Sequence, residues 1–459
     1  MLDRRLVIVG AGIAGLAAAE RAVALRPDVE VLVLEAADRP GGMLQTERTK
    51  GLVIDRGPDS ILSDQPTVMD LAARVGLGDA VIGTDNRFRG AYVVQRGRLV
   101  RIPGGFTVVG TSDRLKLAFS PILSPLGKLR AACEPFIPRA HLQDESIRAF
   151  VTRRYGRELF ERLAQPMAGG IYGGDPDRLS AHATLARFVE HERKYGSVTR
   201  GLRSRTRASE SETATGARYG LFISFKTGMG ALPEAIAHEL GSRVRLGTPV
   251  ARISPEGEGW GVELASGEKE RASHVILALP ARISTHLVRG FDATLAEELA
   301  AIEYGSAATA TFAWNRSEVP HPLDAFGFVV PETEHRDALA ATWSSVKWPG
   351  RAPEDQVLIR VFLARQELLE SDDDTLVSAA RRELAALMGI EAEPFLTRVD
   401  RFTNAMPRYH LGHIERVDRI ERAMSAHPGL ALAGNAYRGV GIPDTIRYAQ
   451  RAAESLLLS

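Results

Sequence analysis

The chain has 459 residues, too many for one hydrophobic core, which predicts two or three domains. Its composition, 44% hydrophobic and 25% charged with a formal net charge of +1, is that of an ordinary globular protein and gives no reason to expect nucleic acid as a partner. One cysteine, Cys133, excludes an intrachain disulfide and any Cys-rich zinc or iron–sulfur site, so a reducing, cytoplasmic setting is expected. The sequence opens almost directly on a strand, so no signal peptide is expected, and no run of 18 or more uncharged apolar residues occurs, so no spanning helix is expected.

Residues 6–10 (LVIVG) read as a buried strand, Ile13 to Leu25 as an Ala-rich helix, and residues 29–35 (VEVLVLE) as a second, parallel strand. This β-α-β unit opens an α/β domain. A helical pattern follows over 65–79, then a hairpin over 91–102 turning at Arg96-Gly97. Residues 111–190 read as mostly helical, interrupted by Pro121, Pro125, Pro135 and Pro138. The polar stretch from Lys194 to Gly220 shows no apolar periodicity and reads as an exposed, mobile connection. Strand patterns return at 243–253, 260–265, 274–279, 307–314, 326–330 and 357–363. A helix is expected over 373–389, and the end reads as strand, Gly-rich loop, helix.

The loop GAGIAG supplies the first chemistry. Gly10 permits a tight turn, Gly12 lets backbone approach a pyrophosphate, and Gly15 lets helix pack on strand. The helix start at Ile13 and Ala14 offers unpaired N–H groups and a positive dipole end to phosphate. Glu35, with Ala36 after it, closes the next strand 20 residues beyond Gly15. A carboxylate there accepts hydrogen bonds from ribose hydroxyls and repels a 2′-phosphate, disfavouring NADP. Beyond it, Arg39 can meet phosphate, and the pair Gly41-Gly42 allows a second close approach to the cofactor. In GMGALPEAI a helix start precedes a strand whose end, Pro249-Val250-Ala251, is placed to contact adenine. In GNAYRGVGIPDTI, Gly434 ends a strand, and Gly441 and Ile442 lead into a helix whose N-terminus would stabilise negative charge on a bound cofactor. Asp444 reads as a cap or first-turn acid.

The glutamate-to-GG arrangement resembles the FAD-dependent amine oxidase and desaturase superfamily, although Met43 stands where many members carry a basic residue. The stretches RGPDS (56–60), QPMAGGIYGGDPDRLS (165–180), TWSSVKWP (342–349), MPRYHLGH (406–413) and LAGNAYRGVGIPDTI (432–446) narrow the resemblance to the porphyrinogen oxidases of haem biosynthesis. It covers essentially the whole chain. It implies a Rossmann-like FAD domain from 1–60, 220–285 and 405–459, with Gly57, Pro58 and Asp59 among its cofactor contacts. A mixed-sheet substrate domain would come from 61–84 and 286–404. A mostly helical third domain would occupy 85–219, with a mobile loop near 193–219.

The resemblance further implies removal of six electrons from a porphyrinogen through FAD, with O2 as acceptor and H2O2 as product. Protoporphyrinogen IX is the first expectation, because NRF matches that branch. Coproporphyrinogen III is the alternative, because TWSSVKWP and RGPDSIL look closer to the other branch. An amine oxidase or carotenoid desaturase, or a flavoprotein without turnover, are more distant rivals. No side chain is expected as acid or base; the backbone of Gly170 would face flavin and substrate. Arg87 maps onto the family's propionate-binding arginine, and Phe326, Val329 and Phe362 onto its apolar clamp, with Ala364-Arg365 where glycine often follows. His410 and His413, three apart without a third ligand, read as structural histidines rather than a metal site. Residues 114–137 mix Arg/Lys with Leu/Phe as a surface lying on a membrane does, although a wholly soluble enzyme is expected. A homodimer is implied by resemblance alone.

Overall fold

The computed structural model describes residues 5–63, 65–204 and 222–458. These form two compact units: Met1–Gly83 with Leu221–Glu303 and Ile414–Ser459, and Thr84–Gly220 with Tyr304–His413.

The first unit is built on a five-stranded parallel sheet in the order Val244–Arg245, Glu30–Leu34, Arg5–Val9, His274–Leu277, Leu430–Leu432. Leu6 to Val9 and Val31 to Leu34 are buried, as expected of strands covered on both faces. The helix Ile13–Leu25 packs against the last helix, Ile442–Leu457, through a small-residue face. Glu20, buried on that first helix, accepts a two-point ion pair from Arg74 of the helix Thr67–Arg74. An antiparallel sheet, Val250–Glu256, Gly259–Leu264 and Lys269–Ala272, and a hairpin, Thr46–Thr49 with Leu52–Asp55, extend the unit.

The second unit holds a seven-stranded mixed sheet. Its order is Leu396–Pro407, Tyr304–Asn315, Gln356–Leu363, Ala338–Trp343, Gly327–Val329, Tyr92–Gln95, Arg98–Arg101. Only Gly327–Val329 with Tyr92–Gln95 is a parallel pair. The helix Asp373–Met388 covers one face. There Phe312, Trp314, Phe328, Trp343, Ile359 and Val361 join Leu376, Ala380 and Leu384 in a single core. A second core, with Phe150, Phe160, Leu163 and Phe188, gathers the helices Ile147–Tyr155, Gln165–Tyr172 and Ala186–Tyr195. At its centre Arg154 and Glu134 form a fully buried ion pair; Glu134 also accepts from Ser197 Oγ and the N–H groups of Val198 and Thr199.

Two expectations change. The hairpin Tyr92–Gln95/Arg98–Arg101, assigned with the helical segment, is the edge of the mixed sheet, so that segment and sheet share one unit. Residues 61–83 and 286–303 belong with the first unit instead. The stretch read as mobile lies partly outside the described residues (205–221), but its earlier part is packed. Val198 and Leu202 are buried four residues apart, a helical spacing that the surrounding polar residues masked.

Candidate functional site

In the first unit, the strand Arg5–Val9 ends at Gly10, whose φ of +102° turns the chain; a Cβ there would lie 2.6 Å from the Ala278 carbonyl oxygen. Gly15 is required for contact, since its Cβ would stand 1.9 Å from the Gly10 oxygen. Gly12 is different. It has φ −67° and ψ 174°, and a Cβ on it would meet nothing within 4 Å. Gly42 faces it, its own Cβ position 3.3 Å from the Gly12 Cα, and Gly41 donates its N–H to the Ala11 carbonyl at 2.8 Å. Gly57 closes the cluster, packed so tightly on the Met43 carbonyl that a Cβ would overlap it, which carries Pro58 and Asp59 alongside.

The helix at Ile13 starts with no side-chain cap and no acid in its first turn. Its leading N–H groups and positive dipole end therefore face the open space in front of Gly12, a geometry suited to a diphosphate. Glu35 is fixed by two backbone donors: Ala11 N–H to Oε2 at 2.6 Å and Ala37 N–H to Oε1 at 2.9 Å. Each oxygen keeps a lone pair for a ribose hydroxyl. Thr248 N–H donates to the Glu35 carbonyl and Gly247 N–H to that of Ala37, which brings Val250 beside the same loop. Arg39 departs from expectation. Its guanidinium folds onto the Pro40 and Gly42 carbonyls (3.3 and 2.9 Å), bracing the glycine pair as a cation on its own backbone. At the far end of the sheet, Gly441 begins the last helix without a side-chain cap. Asp444 is a first-turn acid held by Arg447 and Gln65, and Gly439 lacks a side chain where Asp444 folds back.

In the second unit, the sheet register decides which of the residues expected at the substrate meet. Val329 pairs with Ala340, and Ala340 with Phe362, so Val329 and Phe362 share one row on the face opposite the Phe312–Trp343 core. Phe326 does not join them. It precedes its strand and its carbonyl accepts from Trp343 N–H, an odd number of residues from Val329 and so off that row. Gly170 lies in the helix Gln165–Tyr172, which packs against the strands carrying Val329 and Ala340. A Cβ on Gly170 would meet nothing within 4 Å, so the helix offers bare backbone to open space. A π-helical turn, Phe160–Ala164, runs into this helix and accommodates Pro166 near its start.

Arg87 sits on a short turn, Asn86–Phe88, with its side chain 80% exposed. Asp85 latches it: Nε lies 3.1 Å from both carboxylate oxygens and Nη2 2.6 Å from Oδ2. The hydrogen bonds from Arg87 hold the Asp85 carboxyl below its ordinary range. The turn is tied to neighbouring segments by Asp85 N–H to Lys347 O and Phe326 N–H to Gly90 O. His413 stacks flat on Tyr409 at 3.8 Å, a packing role. Thr309, Thr311 and Arg360 lie beside Phe362 on the sheet, an arrangement set by the strand register rather than by any spacing in the sequence.

The model for flavin containing amine oxidoreductases matches residues 13–457. The chain belongs to that family. It is an FAD-dependent oxidoreductase, and the open Gly12–Gly42 cradle, the uncapped helix and Glu35 are what that cofactor requires. The chain is similar to a coproporphyrinogen III oxidase of Staphylococcus aureus, at 31% identity over 99% of both chains. It is similar to a chloroplastic protoporphyrinogen oxidase of Nicotiana tabacum at 28%, over 98% of this chain and 85% of the relative. A crystal structure named "Putative protoporphyrinogen oxidase" from Exiguobacterium sp. 255-15 aligns at 32% identity over 100% and 99% of the chains, with a TM-score of 0.87.

Proposed function

We propose that this family member oxidises a porphyrinogen to the porphyrin with O2 as final acceptor, and that its substrate is coproporphyrinogen III. The observation that carries the reading is similarity over the full length of porphyrinogen oxidases. The coproporphyrinogen III oxidases stand at 31–32% identity and the chloroplastic protoporphyrinogen oxidases at 26–29%. Protoporphyrinogen IX, the first expectation from NRF, is the competing substrate.

FAD, when bound, supplies the two-electron oxidation three times over. The chain's own contribution is positional. Gly12, Gly42 and the helix at Ile13 receive the diphosphate, Glu35 the ribose, and the helix at Ile442 the flavin's electron-rich end. Val329 and Phe362 present an apolar row to the macrocycle, bare backbone at Gly170 permits close approach of a bridging methylene, and Arg87 grips a propionate. Supplying each porphyrinogen anaerobically should bleach the flavin, and admitting air should restore it with porphyrin fluorescence. Coproporphyrinogen III should have the higher kcat/KM. No bleaching by either substrate would reject the reading; a higher kcat/KM for protoporphyrinogen IX would reject its substrate half.

A second reading concerns where the enzyme works. Leu115, Phe119, Leu126, Leu129, Phe136 and Leu142 are all exposed, Phe119 at 87%, within one stretch of the second unit. The only carboxylate of residues 114–143 is Glu134, which is buried, whereas Lys116 and Arg139 are exposed. Exposed apolar side chains beside exposed cations, of which Lys116 also pairs with Asp113 at 3.4 Å, fit an anionic lipid surface. Among the described residues no helix is long and apolar enough to cross a membrane, so contact would be peripheral. Flotation with phosphatidylglycerol vesicles, lost in the Phe119→Ser/Leu126→Ser variant, is the expected result; equal flotation of the variant would reject it.

A further inference from the structure

The second unit holds a cavity of about 270 Å³ that is lined by none of Arg87, Gly170, Val329 and Phe362. It opens where the unit's two cores meet: Val93 belongs to the helical core, its neighbour Val94 to the core on the sheet, and both line it. Ile122 and Pro331, buried like the valines, complete an apolar wall. The rest of the lining is polar. The turn of the hairpin brings Arg96, the π-helical turn Phe160–Ala164 brings Glu161 and Arg162, and the short turn Glu332–Glu334 brings Glu334.

A packing gap between two cores would be lined by apolar groups, or by polar groups that satisfy one another. Here the acceptors are taken and the donors are not. Glu334 accepts the Arg96 N–H on Oε1 at 2.7 Å and the Gly97 N–H on Oε2 at 3.0 Å. Glu161 pairs outward with Arg157, whose side chain is 81% exposed. Arg162 spends Nη1 on Glu158 and the Ile122 carbonyl. The Arg96 guanidinium has neither an ion-pair nor a hydrogen-bond partner among the described residues. The unused hydrogen-bonding capacity is therefore cationic, and its complement is an anion. The turn gives a second, independent sign. Arg96 and Gly97 have φ of +52° and +71°, a pair of values that Asn-Gly adopts readily and an arginine does not. Only the backbone N–H of residue 96 is needed to pin the turn to Glu334, so the fold itself gives no reason for an arginine side chain there.

We infer that this cavity is a binding site for a small aliphatic carboxylate. The chain of the ligand lies on Val93, Val94, Ile122 and Pro331, and its carboxylate meets the Arg96 guanidinium, which is exposed and so keeps the charged end at the solvent. At ~30 Å³ for each water of the liquid, the volume takes roughly nine groups of that size, which suits a ligand of medium chain length. The site is separate from the porphyrinogen reading above and does not depend on it.

The test is calorimetric titration of the FAD-loaded protein with octanoate, and with octylamine as the cationic control. Octanoate should bind saturably at one site and octylamine at least about tenfold more weakly. Arg96→Gly should weaken octanoate by at least about tenfold, one charge-assisted hydrogen bond's worth. Its melting temperature should equal or exceed that of wild type, because glycine suits a φ of +52°. Thr333→Trp, at an exposed position on the lining, should fill the cavity and abolish binding with the fold intact. Arg87→Ala should leave octanoate affinity unchanged. No saturation by about 10 mM octanoate, or equal affinity for octylamine, overturns the site. So does a lowered melting temperature in Arg96→Gly with octanoate affinity kept, which would make the arginine structural. Loss of binding in Arg87→Ala would place the carboxylate at the expected substrate site instead, and equally overturns the inference.

Discussion

Replacing Gly12 by alanine separates folding from cofactor binding. The residue has φ −67° and ψ 174°, a conformation any amino acid adopts, and an added Cβ would meet no atom within 4 Å. Alanine is a poorer N-cap than glycine by somewhat under about 1 kcal/mol. It also restricts the unfolded chain, returning about 0.4–1 kcal/mol. The apoprotein should therefore melt within a degree or two of wild type. The methyl group, however, stands in the space where backbone must approach the diphosphate, and overpacking a contact of that kind costs about 1–3 kcal/mol, or roughly 5- to 150-fold in FAD affinity. Gly15→Ala is the contrasting control. Its Cβ would lie 1.9 Å from the Gly10 carbonyl oxygen, backbone against backbone, so helix and strand must separate and the apoprotein itself should be destabilised. Thermal melts of apoprotein and titration of flavin fluorescence give both numbers for each variant. If Gly12→Ala binds FAD as wild type does, the diphosphate does not lie against Gly12 and the cradle is wrongly assigned. If it unfolds, the space is not open.

Arg87→Ala should raise KM for the porphyrinogen roughly tenfold with FAD content and melting temperature unchanged; an unchanged KM removes Arg87 from the substrate site. The Asp85 carboxyl is depressed by its hydrogen bonds from Arg87, so the latch is fully formed above the ordinary carboxylate pKa and opens only as pH falls below it. KM should show no inflection from this pair between pH 6 and 9, and a titration there that disappears in Asp85→Asn would contradict the geometry. Gly170→Leu should fold, since its Cβ position is open, yet lower kcat/KM at least about tenfold by filling the approach to the substrate; full activity would show that the space is unused. Glu134→Gln leaves buried Arg154 with Glu192 alone, a carboxylate it shares with Arg153, and should cost about 3 kcal/mol in urea unfolding; a loss below about 1 kcal/mol would mean that Glu192 suffices as the counter-charge.

The cofactor half of the molecule was legible because its chemistry is local. Gly10, Gly12, Gly15 and Glu35 lie within 26 residues, and strand, helix and strand fall at Arg5–Val9, Ile13–Leu25 and Glu30–Leu34, where the periodicity puts them. The substrate half was legible only through resemblance, and incompletely. Which residues face one another across the sheet depends on the pairing of Tyr304–Asn315 with Leu396–Pro407 and Gln356–Leu363, and no spacing in the sequence encodes that register. Phe326 and Val329 look like neighbours in AFGFVVP and part company in the sheet. Thr309 and Phe362 are 53 residues apart and stand side by side.

That register also limits how the sheet can vary. Any change at Thr309, Thr311, Arg360 or Phe362 acts on a strand whose alternate residues, Ala310, Phe312, Ile359 and Val361, belong to the apolar core under Asp373–Met388. Substitutions on that opposite face leave the core side chains in place so long as they keep β-propensity and volume. A one-residue insertion in either strand would exchange the two faces, burying arginine against leucine and turning core residues to the other side of the sheet. A single insertion after Ala310 should therefore abolish the cooperative thermal melt, whereas the near-isosteric Thr309→Val on the opposite face should leave the melting temperature close to that of wild type; a normal melt in the insertion variant would refute the register argument.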